Sequence, residues 1–339
     1  MKDFEELTVS RKHLRLRIVA FVLALIVAVV AIGFGVSRIG AKEPGWYDVS
    51  AAGDDETLLW GRTVGLRYSF AGSSRAINLE LKELQGVYSE SLKRNCRLLD
   101  PVERYHGVVN LAALNHGVGQ ELVVEPALFA VLTDALERSA RDEGYSLYAG
   151  ALYAEWDSIV YLAEPEDFDP LVNETERERL SALAALGEEE PFRLTVVDEA
   201  GGVLRLDAEQ SALDTLAELE LDSRILDLNL LRDAYLLRLI RDDLEAAGYT
   251  RGYLVTESGL TLALSEGGGG EYALYGLDEK GPTAAALAPK TDGSVFAAWY
   301  AFALNGEYGW YKLETDNGET LYRHPCLTAD ARCSDTLLS

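Results

Sequence analysis

The sequence predicts an α+β fold with mixed and antiparallel sheets, preceded by a single transmembrane helix. Three observations carry this. Long runs with apolar residues at helical spacing lie early in the chain, whereas short alternating runs broken by glycine lie late. A Gly-Gly pair joins two alternating runs within residues 192–207, a hairpin pattern. Residues 18–36, "IVAFVLALIVAVVAIGFGV", carry no charge at all.

At ~1.5 Å per residue, the stretch 18–36 spans roughly 28 Å, close to the hydrocarbon thickness of a bilayer. Arg11, Lys12, Arg15 and Arg17 precede it, and only Arg38 and Lys42 follow closely. The positive-inside rule then places residues 1–17 in the cytoplasm and the rest outside. A cleaved signal peptide would have a shorter apolar core, and "VVA" ending at Ala31 is a poor cleavage site, so the stretch reads as an uncleaved anchor in the cell membrane. Residues 37–56 are non-periodic and contain Gly, Pro and Asp, as a linker does. Residues 57–339 follow as one extracytoplasmic domain.

Within that domain, 61–70 alternates and suits a strand, and 77–99 repeats apolar residues at helical spacing. "VVNLAALNHG" is a short apolar stretch ending in a turn. Pro126 opens a helix and Gly144 stands past its end. The acidic stretch 164–190 ends in a helix from about Glu174 to Leu186, whose charges suit a solvated face. Residues 223–259 read as strand, helix, strand. The helix, 229–247, carries an apolar stripe of Leu230, Ala234, Leu237, Ile240, Leu244 and Ala247. Two strands flank the glycine run Gly267–Gly270, and aromatic strands holding Trp299, Tyr300, Tyr308, Trp310 and Tyr311 close the chain; these suit sheet core or, alternatively, a partner surface.

The 339 residues, 48% hydrophobic and 26% charged, are those of a folded chain, and the net charge of −25 argues against nucleic acid, since nothing would neutralise phosphates. Gly267–Gly270 lacks the Lys and helix of a phosphate cradle and reads as a flexible hairpin loop. The 4 histidines have no metal-binding spacing, and no Gly-x-Ser-x-Gly occurs. Cys326 and Cys333 either pair in an oxidising compartment, leaving Cys96 alone, or all three remain thiols.

Several segments, in order from about Trp60 to Arg332, resemble the ApbE-like flavin transferase family. "WGRTVGLRYSF" stands where that family opens with Met-Gly-Thr and a strand. "RLLDPVERYHGVVNLAALN" supplies Asn115, and "EGYSLYAGALYAEW" keeps Gly144, Gly150, Leu152 and Trp156. "DLNLLRDAY" is similar to Asp-Leu-Gly-Gly-Ile-Ala-Lys-Gly-Tyr, retaining Asp227, Leu228 and Tyr235. "ALNGEY" keeps Gly306 and Tyr308, and "GETLYRHPCLTADAR" keeps Gly318, Tyr322 and His324.

The resemblance implies a T-fold-related α+β domain that moves FMN from FAD to a threonine of a partner protein with the help of Mg²⁺. It assigns Asp227, Tyr235, Gly306 and Tyr308 to the flavin nucleotide, leaves His324 as the remnant of a catalytic group, and offers Glu257, Glu307 and Asp330 as substituted metal ligands. The departures are as telling. Asn229, Leu230 and Asp233 replace the two glycines and the Lys, Glu257-Ser258-Gly259 replaces Gly-Gly-Asp, Leu304 replaces a Thr, and Leu327 and Asp330 replace an Asp and a Thr. Leucine cannot ligate a hard cation. The expectation is a fold kept for binding or assembly with a membrane or exported partner; the alternative is a divergent, Mg²⁺-dependent FAD:protein FMN transferase.

Overall fold

The computed structural model describes residues 42–141, 144–188, 191–221, 223–257, 260–265, 272–278, 281–288, 311–315, 317–328, 331–333 and 336–337. The predicted span 18–36 and the glycine run 267–270 lie outside the described residues. Among those described, no helix is long and apolar enough to cross a membrane. The chain divides into a small unit, Met1–Gly45 with Phe70–Leu81, and a large one, Trp46–Ser69 with Lys82–Ser339. In the small unit, the Lys42 N–H donates to Ser74 Oγ at 2.9 Å, beside the start of a helix.

The large unit carries the strands and helices that shape the site. Strands β1 (Gly45–Val49), β2 (Val64–Phe70), β6 (Gly252–Thr256) and β7 (Thr261–Ala263) form one sheet in the order β1-β2-β6-β7. β2 and β6 are antiparallel with Leu66 opposite Leu254. Val64, Leu66 and Tyr68 alternate inward along β2, the period a half-buried strand requires. A second antiparallel sheet has the order β3 (Glu121–Val123), β5 (Val203–Ala208), β4 (Phe192–Asp198). The Gly-Gly turn joins β4 to β5 as predicted. Further antiparallel pairs join β8 (Tyr272–Asp278) to β9 (Gly281–Ala288), β10 (Tyr311–Glu314) to β11 (Thr320–Arg323), and β12 (Arg332–Cys333) to β13 (Thr336–Leu337).

The helices are α1 (Asp55–Thr63), α2 (Ser74–Leu98), α3 (Leu111–His116), α4 (Pro126–Ser139), α5 (Gly150–Val160), α6 (Glu174–Glu188), α7 (Gln210–Glu218) and α8 (Leu230–Ala246). Leu84, Tyr88 and Leu92 of α2 are fully buried at four-residue spacing, and Leu237, Ile240 and Leu244 of α8 form the matching stripe. One polar cluster fixes α2 against α8: Asp243 accepts from Ser91 Oγ, from Arg94 and, at 3.0 Å, from the Asn95 amide. Tyr235 of α8 donates its hydroxyl to Asp134 of α4 at 2.7 Å.

Three readings are corrected. Residues 45–49, read as linker, form β1, and 55–63, read partly as linker and partly as strand, form α1. Asp54 explains the helix: its Oδ1 accepts the Thr57 N–H at 3.0 Å, an N-cap that a search for apolar periodicity passes over. The apolar stretch before Gly117 ends in a turn as read, and its residues Leu111–His116 form α3, capped by Asn110. Finally, 223–228 is extended yet joins no sheet. Its backbone is held instead by the Asn115 side chain, which accepts from Leu226 N–H at 2.7 Å and donates to Leu226 O at 3.0 Å. The Gly150 N–H donates to Ile225 O and the Asp227 N–H to Leu147 O, both at 3.0 Å. Gly150 is needed for this approach, because a Cβ there would lie 2.8 Å from Ile225 O.

Candidate functional site

The segment so clamped ends at Asp227. Its Oδ1 accepts the N–H of Asn229 at 2.6 Å, which turns the chain into α8. Asn229 adopts φ 42° and ψ −124°, a left-handed conformation that glycine takes freely and a side chain strains. Asn229 stands where the flavin transferase pattern has the first of its glycines, so the backbone keeps a glycine shape under an asparagine side chain. That side chain hydrogen-bonds the phenol of Tyr153. Asp233 follows in the first turn of α8.

Tyr153, Asp157 and Tyr161 recur every four residues along α5 and just past its end, and so share one stripe facing this turn. Asp157 is open to solvent at its surface yet packed by protein on most sides. Crowding first, and then the charge of Asp227, raise the Asp157 carboxyl to about 7. Burial also raises Asp227 itself; the Asn229 N–H and the guanidinium groups of Arg232 and Arg224 oppose that rise. Burial lifts the Tyr153 hydroxyl to about 12. Tyr161, 51% exposed, is also pushed up to about 12, by burial and then by the charges of Asp157, Cys326, Glu257 and Asp233. The α5 stripe, the turn 227–233 and Cys326 thus act on one another electrostatically, with Asp157 and Asp227 as the paired acids. A phenol hydroxyl nearby, that of Tyr145, is buried without a hydrogen-bond partner in the structure.

The residues expected from sequence distribute as follows. Asp227 lies buried at the turn into α8, near Asp157. Tyr235 is buried and spends its hydroxyl on Asp134, a packing role between helices. His324 is half-buried: its Nδ1 accepts the Cys326 N–H at 3.2 Å, and its carbonyl accepts the Trp156 indole N–H at 2.9 Å. Burial, then the charge of Arg323, lower its pKa, so the ring is neutral at physiological pH. Glu257 is exposed on the turn after β6, where its N–H donates to Thr63 O at 2.9 Å. Leu327 is buried. Gly306, Tyr308, Glu307, Asp330 and Leu304 lie outside the described residues, as do all the aromatic residues named near the C-terminus except Tyr311. Tyr311 is core. Among the described residues, no three His, Cys, Asp or Glu side chains converge as a metal site would. Sequence reasoning missed Asp157, Tyr153, Tyr161 and Arg232. The four-residue spacing of the first three within "YAEWDSIVY" was the available signal.

A second polar centre lies under the C-terminal strands. Asp169 receives Arg323 Nε at 2.7 Å and the Tyr311 hydroxyl at 2.8 Å, and both ionic side chains are 0% exposed. The Leu171 N–H donates to its other oxygen at 2.9 Å. Every acceptor direction is used, which suits a structural tie.

No protein-family model matches the chain, and no curated protein matches it. Solved structures do. An ApbE protein from Thermotoga maritima superposes with a TM-score of 0.50 at 10% identity, over 82% of this chain and 75% of that one. A flavin transferase ApbE from Vibrio cholerae gives 0.48 at 13% identity, over 85% and 77%. A flavinyl transferase ApbE from Pseudomonas stutzeri in its apo form gives 0.43 at 13% identity, over 76% and 66%. The Thermotoga superposition shows an ApbE-like fold for this chain.

Proposed function

We propose that this protein is a membrane-anchored, extracytoplasmic ApbE-like domain that has kept the fold of a flavin transferase and given up the site for nucleotide phosphate. It serves in binding or assembly with a membrane or exported protein partner. The observation that carries this reading is the N-terminal turn of α8. The family resemblance puts paired glycines and a Lys there, so that the backbone closes on the flavin nucleotide. Here Asn229 fills the glycine conformation with a side chain, and Asp233 sets a carboxylate in the first turn. A helix N-terminus favours anions, but an acid already in that turn opposes a second one. At an effective dielectric near 20, unit charges in contact interact by ~4 kcal/mol. FAD therefore fits these residues poorly. The asymmetry of Arg and Lys about residues 18–36 supports the outward orientation.

A second reading has its own observation. Arg232, one position before the lost Lys, lies near enough to Asp227 to lower its pKa. A rebuilt site would use Arg232 for phosphate and Asp227 with Glu257, Glu307 or Asp330 for Mg²⁺, in a divergent FAD:protein FMN transferase.

One assay separates the two without knowledge of the partner. The full-length protein in detergent is incubated with FAD and Mg²⁺ in the presence of exported threonine-bearing proteins, and AMP, the other half of FAD, is quantified by chromatography. The favoured reading expects AMP no higher than without protein. Mg²⁺-dependent AMP release that disappears in an Arg232→Ala variant would establish the second.

A further inference from the structure

We infer that Cys326 and Cys333 form a redox-active pair, closing a disulfide across the segment that follows His324 when the protein meets a disulfide oxidant. Both cysteines adjoin one residue, His324. The Cys326 N–H donates to His324 Nδ1 at 3.2 Å, and Cys333 Sγ meets His324 O at 3.5 Å. The Cys333 carbonyl accepts from Arg323 Nη1 at 3.4 Å, so the chain at 333 is held against 323–324 through both its backbone and its side chain. Cys326 stands two residues after His324, so the Cys333 sulfur, in contact with the His324 carbonyl, lies beside the segment that carries Cys326. Both cysteines are reduced in the structure, and Cys96 is buried within α2, apart from this segment in sequence and in element.

The order of events follows from exposure. Cys326 is half-buried and Cys333 buried, so Cys326 meets the oxidant first. Its thiolate attacks one sulfur of a small-molecule or protein disulfide, releasing one thiol and forming a mixed disulfide. The Cys333 thiolate then attacks the Cys326 sulfur and releases the second thiol. Two thiols and one disulfide become one disulfide and two thiols, and the protons lost by the cysteines end on the released thiolates. Burial, ahead of the charges of Cys333 and Asp157, raises the Cys326 thiol to about 12. Little thiolate exists at neutral pH, so closure is slow there and quickens by about tenfold per pH unit. A thiol of high pKa is also a poor leaving group, so the closed form resists reduction. Closure would fix the strand pair β12–β13 covalently to the loop that carries His324, and does not depend on whether FAD binds.

The sequence makes the test direct. Trypsin cuts after Arg323 and Arg332, so peptides 324–332 and 333–339 stay together only through this disulfide. Full-length protein is incubated with oxidised glutathione at pH 8, quenched in acid, denatured, alkylated with N-ethylmaleimide and digested. The expected result is a linked 324–332/333–339 species with Cys96 alone alkylated, formed faster at pH 9 than at pH 8. In Cys326→Ser protein, Cys333 should remain alkylatable, with tryptophan emission unchanged because the Trp156 contact is to the His324 backbone. Three alkylated cysteines, a persistent glutathione adduct on Cys326, or a disulfide that includes Cys96 would each overturn the inference.

Discussion

Under the C-terminal strands, Asp169 is surrounded by a guanidinium, a phenol and a backbone N–H, all within hydrogen-bonding reach. At the turn into α8, beside α5, Asp227 has one backbone N–H, two guanidinium groups acting only through space, and a second acid, Asp157, as neighbour. The first acid is neutralised by its own fold. The second is left with charge that a ligand, a partner or a proton must meet. In the first centre the burial of charge serves stability; in the second it creates potential for binding, and its sign disfavours phosphate.

The largest expected effect tests the first centre. Arg323→Met leaves Asp169 buried without its cation and should destabilise the protein by about 3–5 kcal/mol in urea denaturation. The double variant Arg323→Met/Asp169→Leu should recover part of that loss. A single variant costing under about 1 kcal/mol would erase the contrast between the two acids.

A smaller effect is expected where the segment leading into Asp227 is anchored. Asn115→Ala removes the acceptor of the buried Leu226 N–H and should cost about 2–3 kcal/mol. A neutral outcome would mean that 224–228 does not depend on this clamp.

Smaller again is Asn229→Gly. Glycine relieves the left-handed conformation, so stability should rise by about 1 kcal/mol, read as a higher melting temperature. A lower melting temperature would show that the bond to Tyr153 outweighs the strain.

The smallest concerns pH. Asp157 is raised from 3.8 to about 7 in the folded state. Between those values the native state holds a proton that the unfolded chain has released, so stability contributed here declines as pH rises through that window. Asp157→Asn should flatten the decline. Since the side chain is open to solvent, the difference at pH 8 should stay below about 1 kcal/mol. An unchanged pH profile would mean that Asp157 does not couple to Asp227.

Much of the architecture could be read from local pattern. The α2 stripe, the centre of the α8 stripe at Leu237, Ile240 and Leu244, and the Gly-Gly hairpin are short-range signals and appear where local pattern puts them, whereas Ala247 at the end of the α8 stripe is exposed. The extended 223–228 segment was misread as a strand because its alternation resembles sheet burial, while its partners are a side chain 111 residues away and two backbone groups near α5. The tie between Asp169 and Arg323 joins residues 154 apart, and nothing local in either segment announces it. At the site, Asp227 and the loss of the glycines were legible as residue types in a familiar order. The pairing of Asp157 with Asp227 was not, because it needs α5 laid beside the turn into α8, and Arg232 gains meaning only from its nearness to Asp227.

The central claim is that the N-terminal turn of α8 no longer accepts a dinucleotide pyrophosphate. It is tested most directly by titrating FAD with Mg²⁺ into wild-type protein and into Asn229→Gly/Asp233→Lys, following flavin fluorescence. The wild type should show no saturable signal at micromolar FAD, and the double variant should bind measurably tighter. Micromolar, Mg²⁺-dependent binding by the wild type, unimproved by the two substitutions, would contradict the account.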